Sequence, residues 1–301
     1  MDVAKQLEKS TLPIFIVDAF TKKPFAGNGA AICLVSYQEE ISNEMKQKMG
    51  AEMNLSETAF ISIIKKGDTF QNGNRFKLQW FTPTCEVSLC GHATLASSAV
   101  LFTVCGNESQ IIEFETLSGV LKAKRLPDGR IEIDLPAYES VPVDMEIYGD
   151  VVKAAIGSIS PQAVVLSYSK KLLIQLPDNL TRHQLESLKP KQSELLEASS
   201  NVVGVIITLK SSGKDNCCDE EGNSFDFISR YFAPWLGVFE DPVTGSAHSV
   251  LGPYWSKILK KNKLYARQCS PRGGNLHVEC LQDRVHVSGN ATIVVQGQIS
   301  F

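Results

Sequence analysis

Short apolar or alternating runs dominate the chain. Ile14 to Val17, Thr58 to Ile64, Phe76 to Phe81, Val120 to Arg125, Arg130 to Leu135, Leu172 to Gln175, Val202 to Leu209, Leu276 to Leu281, Val285 to Val287 and Thr292 to Gly297 all read as strands. Leu126-Pro127-Asp128-Gly129 supplies turn chemistry for a hairpin between two of them. Helical spacing is rarer. Ile41, Met45, Met49 and Met53 make an i, i+4 stripe from a Ser42 cap to a stop at Asn54, which predicts a helix packed on the core. A second helix is predicted over Ala93 to Phe102. Few strands are separated by a helix of 10–15 residues, so the pattern disfavours a doubly wound parallel sheet and predicts an α+β arrangement of curled sheets. A proline-bounded stretch, Pro136 to Pro142, marks the expected boundary between two halves, 12–136 and 137–301.

The halves echo each other. Phe76-Lys77-Leu78-Gln79-Trp80-Phe81-Thr82-Pro83 and Phe227-Ile228-Ser229-Arg230-Tyr231-Phe232-Ala233-Pro234 share the pattern F-x-x-x-aromatic-F-x-P at one constant offset. Three residues out of step, Gly91-His92-Ala93 matches Gly245-Ser246-Ala247, and each triplet opens an apolar stretch. Two matches in the same order predict a duplication, with strand, polar loop and glycine-led helix in each half and a site shared between them.

Composition narrows the possible partners. The 301 residues are 43% hydrophobic, enough for a sizeable core, and the net charge of −3 is spread along the chain without a basic face for nucleic acid or acidic lipid. Apolar runs fall short of the ~20 residues that a membrane span needs, and Met1 to Ser10 reads as a charged leader, not a signal peptide. The expectation is a cytoplasmic protein acting on a small molecule. Eight cysteines without C-x-x-C spacing predict reduced thiols and no metal site.

Three segments look chemical. Asn54-Leu55-Ser56-Glu57-Thr58 breaks the methionine-striped helix and sets a carboxylate at the mouth of a strand. Leu89-Cys90-Gly91-His92-Ala93-Thr94 and Glu240-Asp241-Pro242-Val243-Thr244-Gly245-Ser246-Ala247-His248 each place a glycine at the start of an apolar helix, where free backbone N–H groups bind anions. The plainer alternative is that Ser246 and Thr94 cap those helices and Asp241 caps a turn. The dipole at a helix start should make His92 hard to protonate, leaving it a neutral donor or the partner of a carboxylate. Dinucleotide, Walker A, zinc-protease and nucleophile-elbow templates all fail, so cofactor-free proton transfer is the chemistry that remains.

Together these segments resemble the phenazine-biosynthesis-like (PhzF-like) family, which shares a fold with diaminopimelate epimerase. The resemblance runs from Leu12 through Ile16-Val17-Asp18-Ala19-Phe20, Pro24-Phe25-Ala26-Gly27-Asn28, the Glu57 segment, Phe81-Thr82-Pro83, Cys90-Gly91-His92-Ala93-Thr94 and Asp241-Pro242-Val243-Thr244-Gly245-Ser246-Ala247. Arg230-Tyr231-Phe232-Ala233-Pro234-Trp235 is similar to the animal members in particular. The family's usual Gly-Asn-Pro is Gly27-Asn28-Gly29 here.

The resemblance implies two pseudo-symmetric domains, each a curled, mostly antiparallel sheet around a central helix, with the last strand free to cross back to the first half. It also implies a homodimer and a cofactor-independent isomerase. A glutamate would move a proton between carbons, helped by a histidine and an aspartate. Those roles fall on Glu57, His92 and Asp241. Gly91, Gly245, Ser246, Thr244 and Asn28 would line the substrate's binding site, and Phe81, Phe232 and Trp235 would exclude water. Two other readings stand beside it: a two-base amino-acid racemase or epimerase, and a binding or scaffolding protein that has lost turnover.

Overall fold

The structure, a computed structural model, describes residues 10–198, 201–211 and 217–301. Apart from Ser10, the leader lies outside the described residues. The first half runs β1 (Thr11–Ala19), β2 (Asn28–Val35), α1 (Asn43–Met53), β3 (Glu57–Ile63), β4 (Arg75–Phe81), β5 (Glu86–Val87), α2 (Gly91–Ala99), β6 (Ile111–Thr116), β7 (Gly119–Arg125) and β8 (Ile131–Pro136). The second runs β9 (Ser140–Pro142), α3 (Met145–Ile156), β10 (Ala163–Ser167), β11 (Lys171–Gln175), α4 (Arg182–Ser187), α5 (Gln192–Ala198), β12 (Gly204–Lys210) and β13 (Phe227–Ala233). It continues through β14 (Val238–Asp241), α6 (Gly245–Leu259), β15 (Lys263–Gln268), β16 (Gly274–Cys280), β17 (Arg284–Gly289) and β18 (Ala291–Ser300).

Local chemistry sets the element ends. Ser42 accepts from the Met45 N–H at the start of α1, and Asn54 closes it in the left-handed conformation that its short polar side chain tolerates. Met49 is buried against Phe60 and Phe81, with Ile41, Met45 and Met53 around it, so the methionine stripe is core. Between β7 and β8, the Gly129 N–H bonds Leu126 O at 3.0 Å with Gly129 at φ +85°, as the hairpin turn requires. Helix α2 runs on as a π-helical segment over Val100–Val104.

The described strands join in one continuous sheet whose pairing scheme is written twice. From β1 to β8 the neighbours pair β1–β2 antiparallel, β2–β3 parallel, β3–β4 antiparallel, β4–β6 parallel, then β6–β7 and β7–β8 antiparallel. From β10 to β17 the same sequence recurs as β10–β11, β11–β12, β12–β13, β13–β15, β15–β16 and β16–β17. The two series meet at the antiparallel β8–β17 pair, where Ile133 faces Val287. The final strand β18 returns to pair along β1. Topology thus repeats more faithfully than sequence does.

Helices α2 and α6 bury opposite ends of one shared core, with Ala93, Leu95, Ala96 and Val100 from one and Ala247, Val250, Leu251 and Trp255 from the other. Their first residues touch. A Cβ placed on Gly91 would lie 3.0 Å from Gly245 Cα, and one placed on Gly245 would lie 3.1 Å from Gly91 Cα. Any side chain at either position must push the two helix starts apart. Alanine ordinarily gains up to ~1 kcal/mol over glycine in a helix. Here Gly91→Ala should instead lose about 1–3 kcal/mol by overpacking. Urea denaturation measures this, and a variant as stable as the parent would show that the contact has slack.

Candidate active site

The carboxylate of Glu57, the first residue of β3, reaches the start of α2. Its Oε2 lies 3.1 Å from His92 Nε2, and on the other side of the ring His92 Nδ1 lies 3.4 Å from Cys90 Sγ. Carboxylate, imidazole and thiol therefore form a line. Glu57 Oε2 and His92 Nε2 are close enough to pair as ions, yet neither completes a hydrogen bond, and both atoms are buried. Three such ligand atoms within 4.8 Å of one another are a donor set of the kind that binds zinc. But each ring nitrogen of His92 faces a different partner, so the arrangement is a relay and not a shell closed around one point.

The electrostatics depart from the expectation for His92. Burial alone would depress the imidazole, but neighbouring Cys90 and Glu57 hold its pKa well above the usual histidine value. A helix-start dipole is worth ~0.3–1 kcal/mol, whereas an opposite charge within hydrogen-bond range shifts a pKa by ~1–3 units, so the carboxylate wins. The His92 pKa is therefore raised and not lowered, and the expectation of a hard-to-protonate ring is corrected. Burial raises the Cys90 thiol to about 11, with the Glu57 charge adding to the effect and His92 opposing it.

The second half contributes Asp241, at the end of β14. Its residue surface is partly exposed, but its carboxylate is enclosed, and burial pushes its pKa up to about 6. Glu57 adds to that rise, while His92, Thr244 and Asn28 oppose it, which puts all four groups within electrostatic reach of Asp241. The carboxylate is held from both halves. Asn28 Nδ2 donates to Oδ1 at 2.7 Å and also to Val243 O at 2.9 Å, and the Thr244 hydroxyl donates to Oδ2. Asn28 is positioned by Gly27, whose φ of +64° only glycine adopts freely and whose Cβ would lie 2.1 Å from Ala19 O.

Neither helix start is capped by a side chain: Cys90 and Thr244 are extended N-caps without a capping bond. Thr94 bonds back to Cys90 O at 2.5 Å, so the plain capping alternative does not hold for it. The structure thus brings Glu57, His92, Asp241, Gly91, Gly245, Thr244 and Asn28 to one junction, with Ser246 in the first turn of α6.

The aromatic wall differs from expectation. Phe81 packs on Phe60 beside α1, Phe232 packs on Phe239, and Trp235 joins the core of the α3 side, so all three turn away from the site. Alternation along β4 and β13 sends their neighbours Trp80 and Tyr231 to the inner face instead, where both join the α2/α6 core.

Sequence reasoning also missed the supports. Gln268, fully buried on β15, donates to Asp241 O at 2.6 Å and accepts from the Thr244 N–H at 2.9 Å. Arg272 reaches across the halves to Asp18 Oδ1 at 2.6 Å and Gly27 O at 2.9 Å, fixing the loop that presents Asn28. No spacing rule links these residues to the motifs. The turn Pro271-Arg272-Gly273-Gly274 after β15 was a hint available in the sequence.

Comparison with known proteins gives the family and the fold. Over 293 residues the chain is 48% identical to the human phenazine biosynthesis-like domain-containing protein, covering 96% of this chain and 99% of that one. It is 38% identical to a protein from Halalkalibacterium halodurans named as an uncharacterized isomerase, covering 96% of this chain and 98% of that one. The crystal structure of a PhzF-family phenazine biosynthesis protein from Enterococcus faecalis superposes with a TM-score of 0.79 at 34% identity, covering 96% of this chain and 99% of that one. The family described as phenazine biosynthesis-like protein matches residues 17–297, and this chain, with its repeated sheet and paired helix starts, belongs to that family.

Proposed function

We propose that the protein is a cofactor-independent isomerase that moves a proton within a small carboxylate- or amine-bearing metabolite, in a cleft between domains 12–136 and 137–301. Glu57 removes a carbon-bound proton, the electron pair passes into the adjoining unsaturated system, and the Glu57 acid returns the proton to another carbon on the same face. Imidazolium His92 and Asp241 orient the substrate. The first-turn N–H groups at Gly91, Gly245 and Ser246 hold its carboxylate. The observation that carries this reading is the buried, unsatisfied Glu57–His92 contact at 3.1 Å, set where two uncapped helix starts meet. We further propose that the enzyme is a cytoplasmic homodimer with neither nucleic acid nor membrane as a partner. Among the described residues no helix is long and apolar enough to cross a membrane.

A two-base racemase needs an acid and a base on opposite faces of one carbon. Cys90 offers a thiol before Gly91, but the matching position before Gly245 is Thr244, whose hydroxyl is committed to Asp241. One-base transfer is therefore favoured. Cys90→Ala should keep the rate within about tenfold of the parent, far from the ~10²–10⁴-fold loss expected for removing a general base. The test is deuterium incorporation from heavy water into a panel of small amino acids and cyclic carboxylates. Exchange confined to one α-carbon and lost with Cys90 would favour the racemase, and ligand binding without any exchange would favour a binding protein.

A further inference from the structure

The duplication has a gap. Phe81 and Phe232 occupy the same place in the repeat, and their cross-strand partners are Thr58 and Val205. One residue earlier on the inner face, Glu57 therefore corresponds to Gly204, and Trp80 corresponds to Tyr231. Where the first half carries its carboxylate, the second has a bare Cα. A Cβ on Gly204 would lie 2.3 Å from Tyr231 Oη and 2.6 Å from its ring, so the phenol lies directly over the glycine.

Tyr231 is 4% exposed, joins the core that contains α6, and is the register partner of Asp241 across the β13–β14 pair. Burial first, and then the charge of Asp241, push its phenol far above the usual tyrosine pKa, so it stays neutral. No described residue hydrogen-bonds its hydroxyl.

We infer that the Tyr231 hydroxyl is a substrate-contacting hydrogen-bond donor, supplied by the second half opposite Glu57, for the substrate oxygen on which negative charge develops as the proton leaves. The inference rests on the proton-transfer reading of Glu57. A neutral donor aimed at developing charge stabilises the transition state more than the ground state, because only the former carries the full anion. It also makes Tyr231 selective for substrates with a carbonyl or carboxylate oxygen next to the reacting carbon.

Tyr231→Phe keeps the ring over Gly204 and removes only the hydroxyl. On any compound of the heavy-water panel that the parent exchanges, this variant should run ~10²–10³-fold slower, the usual cost of losing one such donor. Its thermal midpoint should be unchanged, and the dissociation constant for acetate, used as a carboxylate probe, should stay within about threefold. Exchange within about threefold of the parent by Tyr231→Phe, with Glu57→Gln inactive, would overturn the assignment and leave the base standing. A parallel fall in stability, acetate binding and rate would make Tyr231 structural and also overturn it. Exchange retained by Glu57→Gln, or none by the parent on the panel, would instead sink the proton-transfer reading and this inference with it.

Discussion

Glu57→Gln should lower turnover by about 10²–10⁴-fold while the protein still folds, because the amide matches the carboxylate in shape but cannot accept a proton. The change also has a signature that needs no substrate. His92 owes part of its raised pKa to Glu57, so removing that charge should bring the imidazole down, and the shift can be followed by NMR titration of the His92 ring. Loss of turnover together with a lowered His92 pKa is the expected pair of results. If more than about a tenth of the activity survives, the base lies elsewhere. If turnover is lost but the His92 titration does not move, the 3.1 Å contact is not an ion pair in solution.

The elements that were legible in the sequence are those whose burial is one-sided. Strand β8 shows strict alternation, with Ile131, Ile133 and Leu135 buried between half-exposed neighbours, and it was recognisable from that alone. Strand β2 was not. Nearly every residue from Asn28 to Val35 is buried, because α2 covers one face and the α1 core the other, so its run shows no period. Helix α3 carried a readable signal in Val151, Val152, Ala155 and Ile156 between an Asp144 cap and Gly157, in the long stretch between the strands predicted at Arg130 to Leu135 and Leu172 to Gln175.

The site was legible to the extent that its residues lie in contiguous motifs. Glu57, His92, Asp241 and the paired glycines meet where the echo of the halves suggested, since a duplicated strand–loop–helix unit has a shared junction. What the motifs could not reveal is which face each aromatic takes. A shift of one residue along β4 or β13 exchanges Phe81 for Trp80 and Phe232 for Tyr231, and only the pairing register decides between them. Nor could a linear reading find Gln268 or Arg272, which support the site across 27 and 245 residues of chain respectively.

Asp241→Asn should separate stability from activity. The Asp241 pKa is raised to about 6 in the folded protein, against ~3.9 for an unfolded aspartate. Between those values the folded state binds more protons than the unfolded one, so the contribution of this group to stability is greatest below pH ~4 and is lost as pH rises through ~6. At pH 7.5 the full penalty applies, about 3 kcal/mol at most for a shift of ~2 units at 1.36 kcal/mol each. Asparagine carries no charge to bury. It accepts from Asn28 with its single oxygen and turns its amide toward Thr244, whose hydroxyl already receives Gln268 Nε2 at 3.2 Å, so about one hydrogen bond, worth ~1 kcal/mol, is given up. The relief exceeds that loss, and the variant should be more stable than the parent at pH 7.5 and no more stable at pH 4. Its activity should fall by about 10²-fold at neutral pH, because it mimics the protonated parent and the charge that orients the substrate beside His92 is gone. The parent's own rate should fall in the same way as pH drops through ~6. Urea midpoints at the two pH values and a rate profile across pH 5–8 test the three expectations together. A variant equally destabilised at both pH values would show that the Asp241 charge is not held at a cost in the fold, and a variant with parental activity would remove Asp241 from the site.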